Sequence, residues 1–278
     1  MGELLYGTSS WSDKSWVGSF YPDGTQPAQF LSLYAKRFRA VEADVTYYRV
    51  PSRSMVEGWR TRTPDHFRLC AKFPRAIVHG GEGPRPDAGV VLMPEAVART
   101  TDDFLDAMSA LEEKCGPLVL QFPYFNKEAF ASPQPFYDRL DAYLRKLPKD
   151  FRYAVEVRNK WWVTQPYLDI LREHDVAPVL VELGYLPHPA DLAKKFDLVT
   201  TDFVYGRLIG DRKKVEERTK VFDRIVLDKV EEIERWAGLL EEMLEVVPKA
   251  YVFANNHYAG HGPATIEALA GRVNNDEA

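Results

Sequence analysis

Short apolar runs recur along the chain at Leu4 to Ser9, Ala40 to Tyr48, Phe67 to Phe73, Leu118 to Phe122, Tyr153 to Arg158, Pro178 to Leu183, Phe203 to Ile209 and Ala250 to Asn255. They are rich in β-branched and aromatic residues and too short for helices, so they predict strands. Between them the apolar positions switch to helical spacing over Pro27 to Phe38, Ser52 to Arg62, Pro94 to Lys114, Pro133 to Leu147, Gln165 to His174, Lys229 to Val247 and Gly262 to Gly271. Val230, Ile233, Trp236, Ala237, Leu240, Met243 and Leu244 form one such stripe, the core face of an amphipathic helix. Strands alternating with helices imply parallel βαβ units. A strand number of about eight in 278 residues predicts a (β/α)8 TIM barrel: one domain over residues 1–278 with a closed parallel sheet. The competing open sheet would carry a glycine-rich phosphate turn after its first strand. Here that strand runs into Gly7-Thr8-Ser9-Ser10-Trp11, and neither G-x-G-x-x-G nor a P-loop lysine motif occurs anywhere.

The strand alternation also selects candidate chemistry. Side chains face opposite ways in turn, so Glu42, Asp44 and Thr46 share one face and Val41, Ala43 and Val45 the other. With the apolar face toward the helices, the carboxylates point into the barrel or its mouth. Glu156 with Arg158, and Tyr205 with Arg207, follow the same rule, while Lys72, Gln121 and Glu182 end their strands. Catalytic groups in this fold come from strand C-termini and the loops after them. A purely structural ion network is the alternative, but buried ion pairs stabilise poorly compared with apolar packing. The cluster therefore points to a ligand or catalytic site.

Composition narrows the chemistry. Lys and Arg number 36 against 41 Asp and Glu, a net charge of -5, which argues against a nucleic-acid coat protein while leaving room for a local basic patch. The two cysteines, Cys70 and Cys115, stand in no metal or redox spacing and predict buried free thiols in a reducing compartment. No signal segment or apolar run of membrane-spanning length is present, so a cytoplasmic location is expected. Of the six histidines, His257 follows Asn255-Asn256 after the last strand. Its neighbour His261 is separated from it by Gly260, which breaks the helix that paired metal ligands need. No metal and no redox cofactor are expected.

Two loops are rich in aromatics: Trp11, Trp16, Phe20 and Tyr21 after strand one, and Trp161 and Trp162 after strand five. Such faces suit flat ligands or sugars, and equally suit a hydrophobic plug at the rim. The segment after strand seven, with Arg212, Lys213, Lys214, Arg218 and Lys220 interleaved by Asp211, Glu216 and Glu217, reads as a solvated face or a phosphate loop.

A set of blocks resembles the YecE-like family, the widespread domain of unknown function numbered seventy-two. They are Gly7-Thr8-Ser9-Ser10-Trp11 with Trp16, Gly18, Phe20, Tyr21 and Pro22; Phe38 with Val41-Glu42 and Thr46-Tyr47-Tyr48-Arg49-Val50-Pro51; and Phe67 with Lys72-Phe73-Pro74-Arg75 and His79. Further blocks are Gly116 to Pro123, Ala154 to Arg158 with Trp161, and Phe253-Ala254-Asn255-Asn256-His257 with Gly260 and Pro263-Ala264. The resemblance implies a TIM barrel similar to the group containing endonuclease IV and xylose isomerase. Asp44 and Asn159 depart from it, standing where the family usually has Asn and His.

The expected function is a metal-independent, hydrolase-like enzyme acting on a small polar or phosphate-bearing ligand. Glu156, Glu42 and His257 are the catalytic candidates, and Lys72, Gln121, Arg158, Arg207, Asn256, Trp11 and Trp161 the substrate-binding ones. Glu42 and Glu156, on different sides of a barrel, would flank a substrate with a water between at roughly 6.5–9.5 Å, as inverting hydrolysis requires. The alternatives are a non-catalytic nucleotide or nucleic-acid binder and an endonuclease IV-like metal-dependent phosphodiesterase.

Overall fold

The computed structural model describes residues 1–81 and 83–273. Eight strands are present: β1 (Glu3–Thr8), β2 (Ala40–Ala43), β3 (Arg68–Lys72), β4 (Cys115–Gln121), β5 (Tyr153–Glu156), β6 (Val176–Leu183), β7 (Phe203–Gly210) and β8 (Lys249–Ala254). All neighbouring pairs are parallel, in the order β1-β8-β7-β6-β5-β4-β3-β2. Helices fill the connections, the longest being Pro94–Ser109 and Val230–Leu244. The architecture is a TIM-like barrel with one seam. Among the described residues no ladder joins β1 to β2, and the Tyr34 hydroxyl bridges them instead. It accepts from the Thr8 amide at 2.7 Å and donates to the Ala40 carbonyl at 3.3 Å. Gly7 permits the approach, because a Cβ there would lie 2.0 Å from the Ala40 carbonyl oxygen.

The barrel interior is apolar below its upper layer: Leu5, Ala40, Cys70, Val119, Ala154, Ala177, Val179, Val181, Phe203, Tyr205, Tyr251 and Phe253 pack together there. A second apolar layer lies between the sheet and its helices, with Trp236 and Leu240 of the predicted stripe fully buried in it. Cys70 is buried, whereas Cys115 at the start of β4 is only half-buried; neither forms a disulfide.

Several predicted elements end early, two of them by the widest margin. The helix that starts at Pro94 stops at Ser109, and a separate 3-10 turn covers Glu112–Lys114 after Glu112 takes a φ of 51°. The second strand stops at Ala43 instead of Tyr48, and Asp44–Tyr47 form a 3-10 turn. Thr46 explains the break. Its hydroxyl lies 2.9 Å from the Ala43 carbonyl oxygen and 2.7 Å from that of Lys72, and it accepts from the Lys72 amide at 3.0 Å, replacing the backbone ladder with a side chain. No helix among the described residues is long and apolar enough to cross a membrane.

Candidate functional site at the barrel mouth

Glu42 lies one residue from the end of β2, while Lys72, Gln121 and Glu156 terminate their strands, and Arg207 projects inward from the upper part of β7. Because the strands are parallel and in register, with Gln121 beside Glu156, these side chains meet in one layer at the C-terminal end. Arg207 is its hub. The guanidinium donates from Nε and Nη2 to Glu42 Oε1 at 3.1 and 2.8 Å, and from Nη1 to Gln121 Oε1 at 2.8 Å and to Glu156 Oε2. Tyr205 donates to the other Glu42 oxygen at 2.7 Å, and Lys72 pairs with Asp44 and lies 3.6 Å from Glu42. On the outer side of Glu156, Arg158 donates from Nε at 2.8 Å.

Glu42 and Glu156 are 0% exposed and Arg207 is 1%. For Glu156, burial favours the neutral form, but Arg207, then Arg158 and Lys72, outweigh it and hold the carboxyl down at about 2. Glu42 is likewise held below the usual range, since Arg207 and Lys72 overcome the desolvation of its buried site. Asp44 moves the other way. Desolvation dominates there and Glu42 adds to it, so its carboxyl titrates above the ordinary range despite Lys72. The inward-facing Arg207 on β7 bonds to both Glu42 and Glu156 and so stands between the two carboxylates.

The remaining sequence candidates lie around this layer. Asn256 is locked at the rim, accepting from Trp16 Nε1 at 3.1 Å and from the Gly262 amide at 2.8 Å and donating to Asp13 at 2.6 Å. His257 sits farther out, against Phe222 and 3.3 Å from Glu216, and burial and Arg212 lower its pKa. Trp11 packs edge-on against Trp59 at 5.6 Å. Trp161 is 72% exposed with Lys160 over its ring, while Trp162 is buried against Phe125. Trp16, Phe20 and Tyr21 form the plug, stacked in part on Phe30 and Phe38. In the basic segment after β7, Glu216 takes both Arg212 and Lys220.

Glu182 departs from the inward placement read for it. On β6 the inward positions belong to Val179 and Val181, so Glu182 faces the helices, where Trp236 and Tyr258 each donate to it at 2.7 Å. Alternation cannot assign a side when both faces of a strand meet apolar layers. Asp13 and Ser9 were not singled out by the sequence reading, although both stand in the loop that follows β1. They help to line a cavity of about 210 Å³ whose walls also include Thr8, Asp44, Asn255 and Asn256. Among the described residues the group of acidic and histidine ligands close enough to share a metal is Asp141, Glu173 and His174. These stand near helix C-terminal ends, hence toward the opposite end of the barrel, and Arg145 already pairs with Asp141 and Glu173.

Residues 5–278 match the family described as "Protein of unknown function DUF72". The UPF0759 protein YecE of Escherichia coli K12 is 33% identical over 160 residues, covering 56% of this chain and 48% of that protein. The chain spans about half the length of the curated relatives it matches. The crystal structure of a DUF72 family protein from Thermotoga maritima aligns with a TM-score of 0.68 at 25% identity, covering 96% of each chain. One from Enterococcus faecalis V583 aligns at 0.69 and 21% identity, covering 98% of this chain and 96% of that one. Sequence and fold together make this chain a member of the DUF72 family.

Proposed function

We propose that the protein is an enzyme of hydrolase-like chemistry that binds a small polar ligand, carrying a carboxylate or a phosphate, at the barrel mouth. The supporting observation is the state of Arg158. Its Nε is tied to Glu156, its side chain retains 25% of its surface, and among the described residues neither Nη1 nor Nη2 has a hydrogen-bond partner. A guanidinium held from behind by a buried carboxylate offers the rest of its N–H fork outward, in the geometry that matches an anion. The charge balance agrees. Glu42, Asp44 and Glu156 face Lys72, Arg158 and Arg207, so the three acids are matched by three cations and leave no excess negative charge to repel an anion.

In this reading Glu156 and Glu42 hold the arginines in place. Their oxygens are engaged by cations or by Tyr205, which makes them weak bases, so proton transfer falls to Asp44 at the edge of the cavity. Anion binding by Arg158 calls for no metal. Thermal-shift titration with inorganic phosphate and with citrate tests the proposal: both should raise the melting temperature of the wild type, and Arg158→Gln should abolish the rise. An equal rise in both proteins would remove Arg158 from the site and sink the proposal.

A second reading draws on a different observation. Tyr48, Tyr124, Trp161 and Tyr185, all strongly exposed, stand on loops that follow β2, β4, β5 and β6, at the same end of the barrel. Exposed aromatics beside Arg49, Arg158 and Lys160 suit stacked bases, which favours a nucleotide or single-stranded nucleic-acid binder. Quenching of Trp161 fluorescence by an oligothymidylate, with a steep salt dependence, is its expected signature.

A further inference from the structure

We infer that the cavity between the ends of β1, β2 and β8 is a subsite for the hydroxyl-bearing part of the ligand, so that the anionic substrate is of the polyol or sugar-phosphate class. This rests on the anion-site reading of Arg158. Ser9 stands in the cavity wall and is 2% exposed, and its Oγ is buried without a hydrogen-bond partner. A buried hydroxyl left unpaired costs free energy unless a ligand or water completes it, and Ser9 can both donate and accept. Beside it Asp44 makes no hydrogen bond to a neutral donor, its only close partner being the Lys72 ammonium. Asn255 uses its Oδ1 on the His257 amide and ring, and among the described residues its Nδ2 donates to nothing. Ser9, Asp44 and Asn255 therefore stand around a common space of about 210 Å³, roughly seven times the ~30 Å³ that a water occupies in the liquid.

The donor and acceptor pattern favours neutral hydroxyl groups over a cation. Asp44 is already paired with Lys72, and Arg207 Nη2 stands 4.0 Å from it, so an incoming ammonium would meet two positive charges. The other acid of the cavity, Asp13, is saturated by the Ser15 amide and hydroxyl and by Asn256. An apolar guest would leave Ser9 and Asp44 unsatisfied. Vicinal hydroxyls, each a donor and an acceptor, complete all three groups. The cavity joins the anion site through a continuous floor: Arg158 to Glu156, Glu156 to Arg207, and Arg207 to Glu42 and Asp44.

The test is a thermal-shift and calorimetric comparison of inorganic phosphate, ribose 5-phosphate and phosphoethanolamine on the wild type and on the Ser9→Ala, Asp44→Asn and Arg158→Gln variants. Ribose 5-phosphate should bind at least tenfold more tightly than phosphate, and phosphoethanolamine no more tightly than phosphate. Ser9→Ala and Asp44→Asn should erase the ribose advantage while keeping the phosphate response, which also shows that both remain folded. Arg158→Gln should weaken every phosphate. If phosphate binds through Arg158 and the sugar adds nothing, or if its advantage survives both cavity variants, the inference is overturned while the anion site stands. Preference for phosphoethanolamine overturns it too. Absence of any phosphate response in the wild type overturns the anion site itself, and the inference with it.

Discussion

Arg207 donates twice to one oxygen of Glu42, from Nε at 3.1 Å and from Nη2 at 2.8 Å, which leaves Nη1 for Gln121 and Glu156 on the far side of the barrel. One guanidinium therefore ties β7 to β2, β4 and β5. Arg207→Met should cost about 3–5 kcal/mol, because two buried carboxylates lose their main cation. Urea denaturation measures it. A loss below about 1 kcal/mol would mean that Lys72 and Arg158 suffice to hold the layer together.

The same pairing fixes the acid side of the stability profile. Glu156 titrates at about 2 in the folded protein against an ordinary 4.5, so its contribution is fully present above pH 4.5 and is lost as the pH falls toward 2. The displacement corresponds to on the order of 3 kcal/mol. Glu42, also shifted downward, loses its share in the same direction. Denaturation midpoints measured between pH 6 and pH 3 should fall steeply in the wild type and less steeply in Glu156→Gln. Parallel slopes would exclude this carboxyl as the source.

The seam between β1 and β2 gives a separate test. Tyr34→Phe removes the bridging hydroxyl and leaves the buried Thr8 amide without that partner, which should cost about 1–3 kcal/mol. Gly7→Ala should cost more, since its Cβ has no room beside the Ala40 carbonyl. Should both variants melt like the wild type, β1 and β2 are held together by other means.

Chelation should leave stability unchanged. The acids at the mouth already hold Lys72, Arg158 and Arg207, and the three-ligand group elsewhere is occupied by Arg145. A melting temperature that drops in EDTA and recovers with a divalent cation would contradict this.

The barrel and the core of its mouth were legible because Glu42, Lys72, Gln121, Glu156 and Arg207 interrupt otherwise apolar strands near their C-terminal ends, where a large polar side chain has few structural explanations. Their partners were not. That Arg207 would lie between Glu42 and Glu156 depends on the width of the barrel at that layer, which no spacing along the chain encodes. Asp44 reached the mouth by a route the alternation did not describe, through the turn that Thr46 closes. Ser9 and Asp13 escaped notice because small polar residues after a strand are common, and only burial singles out the Ser9 hydroxyl.

The Tyr34 bridge gives the barrel an uneven resistance to stretching. Everywhere else around the wall, widening means breaking several ladder bonds at once, whereas between β1 and β2, among the described residues, it means detaching the Tyr34 phenol and the half-exposed Arg39–Glu3 pair at the start of the two strands. Thr8 and Ser9 follow one lip of that joint and Asp44 the other, so the cavity straddles it. Amide exchange at Thr8 should therefore outpace that at Val155 or Val252, which sit between paired neighbours. For anyone wishing to enlarge the cavity for a bulkier guest, this is the flank to loosen.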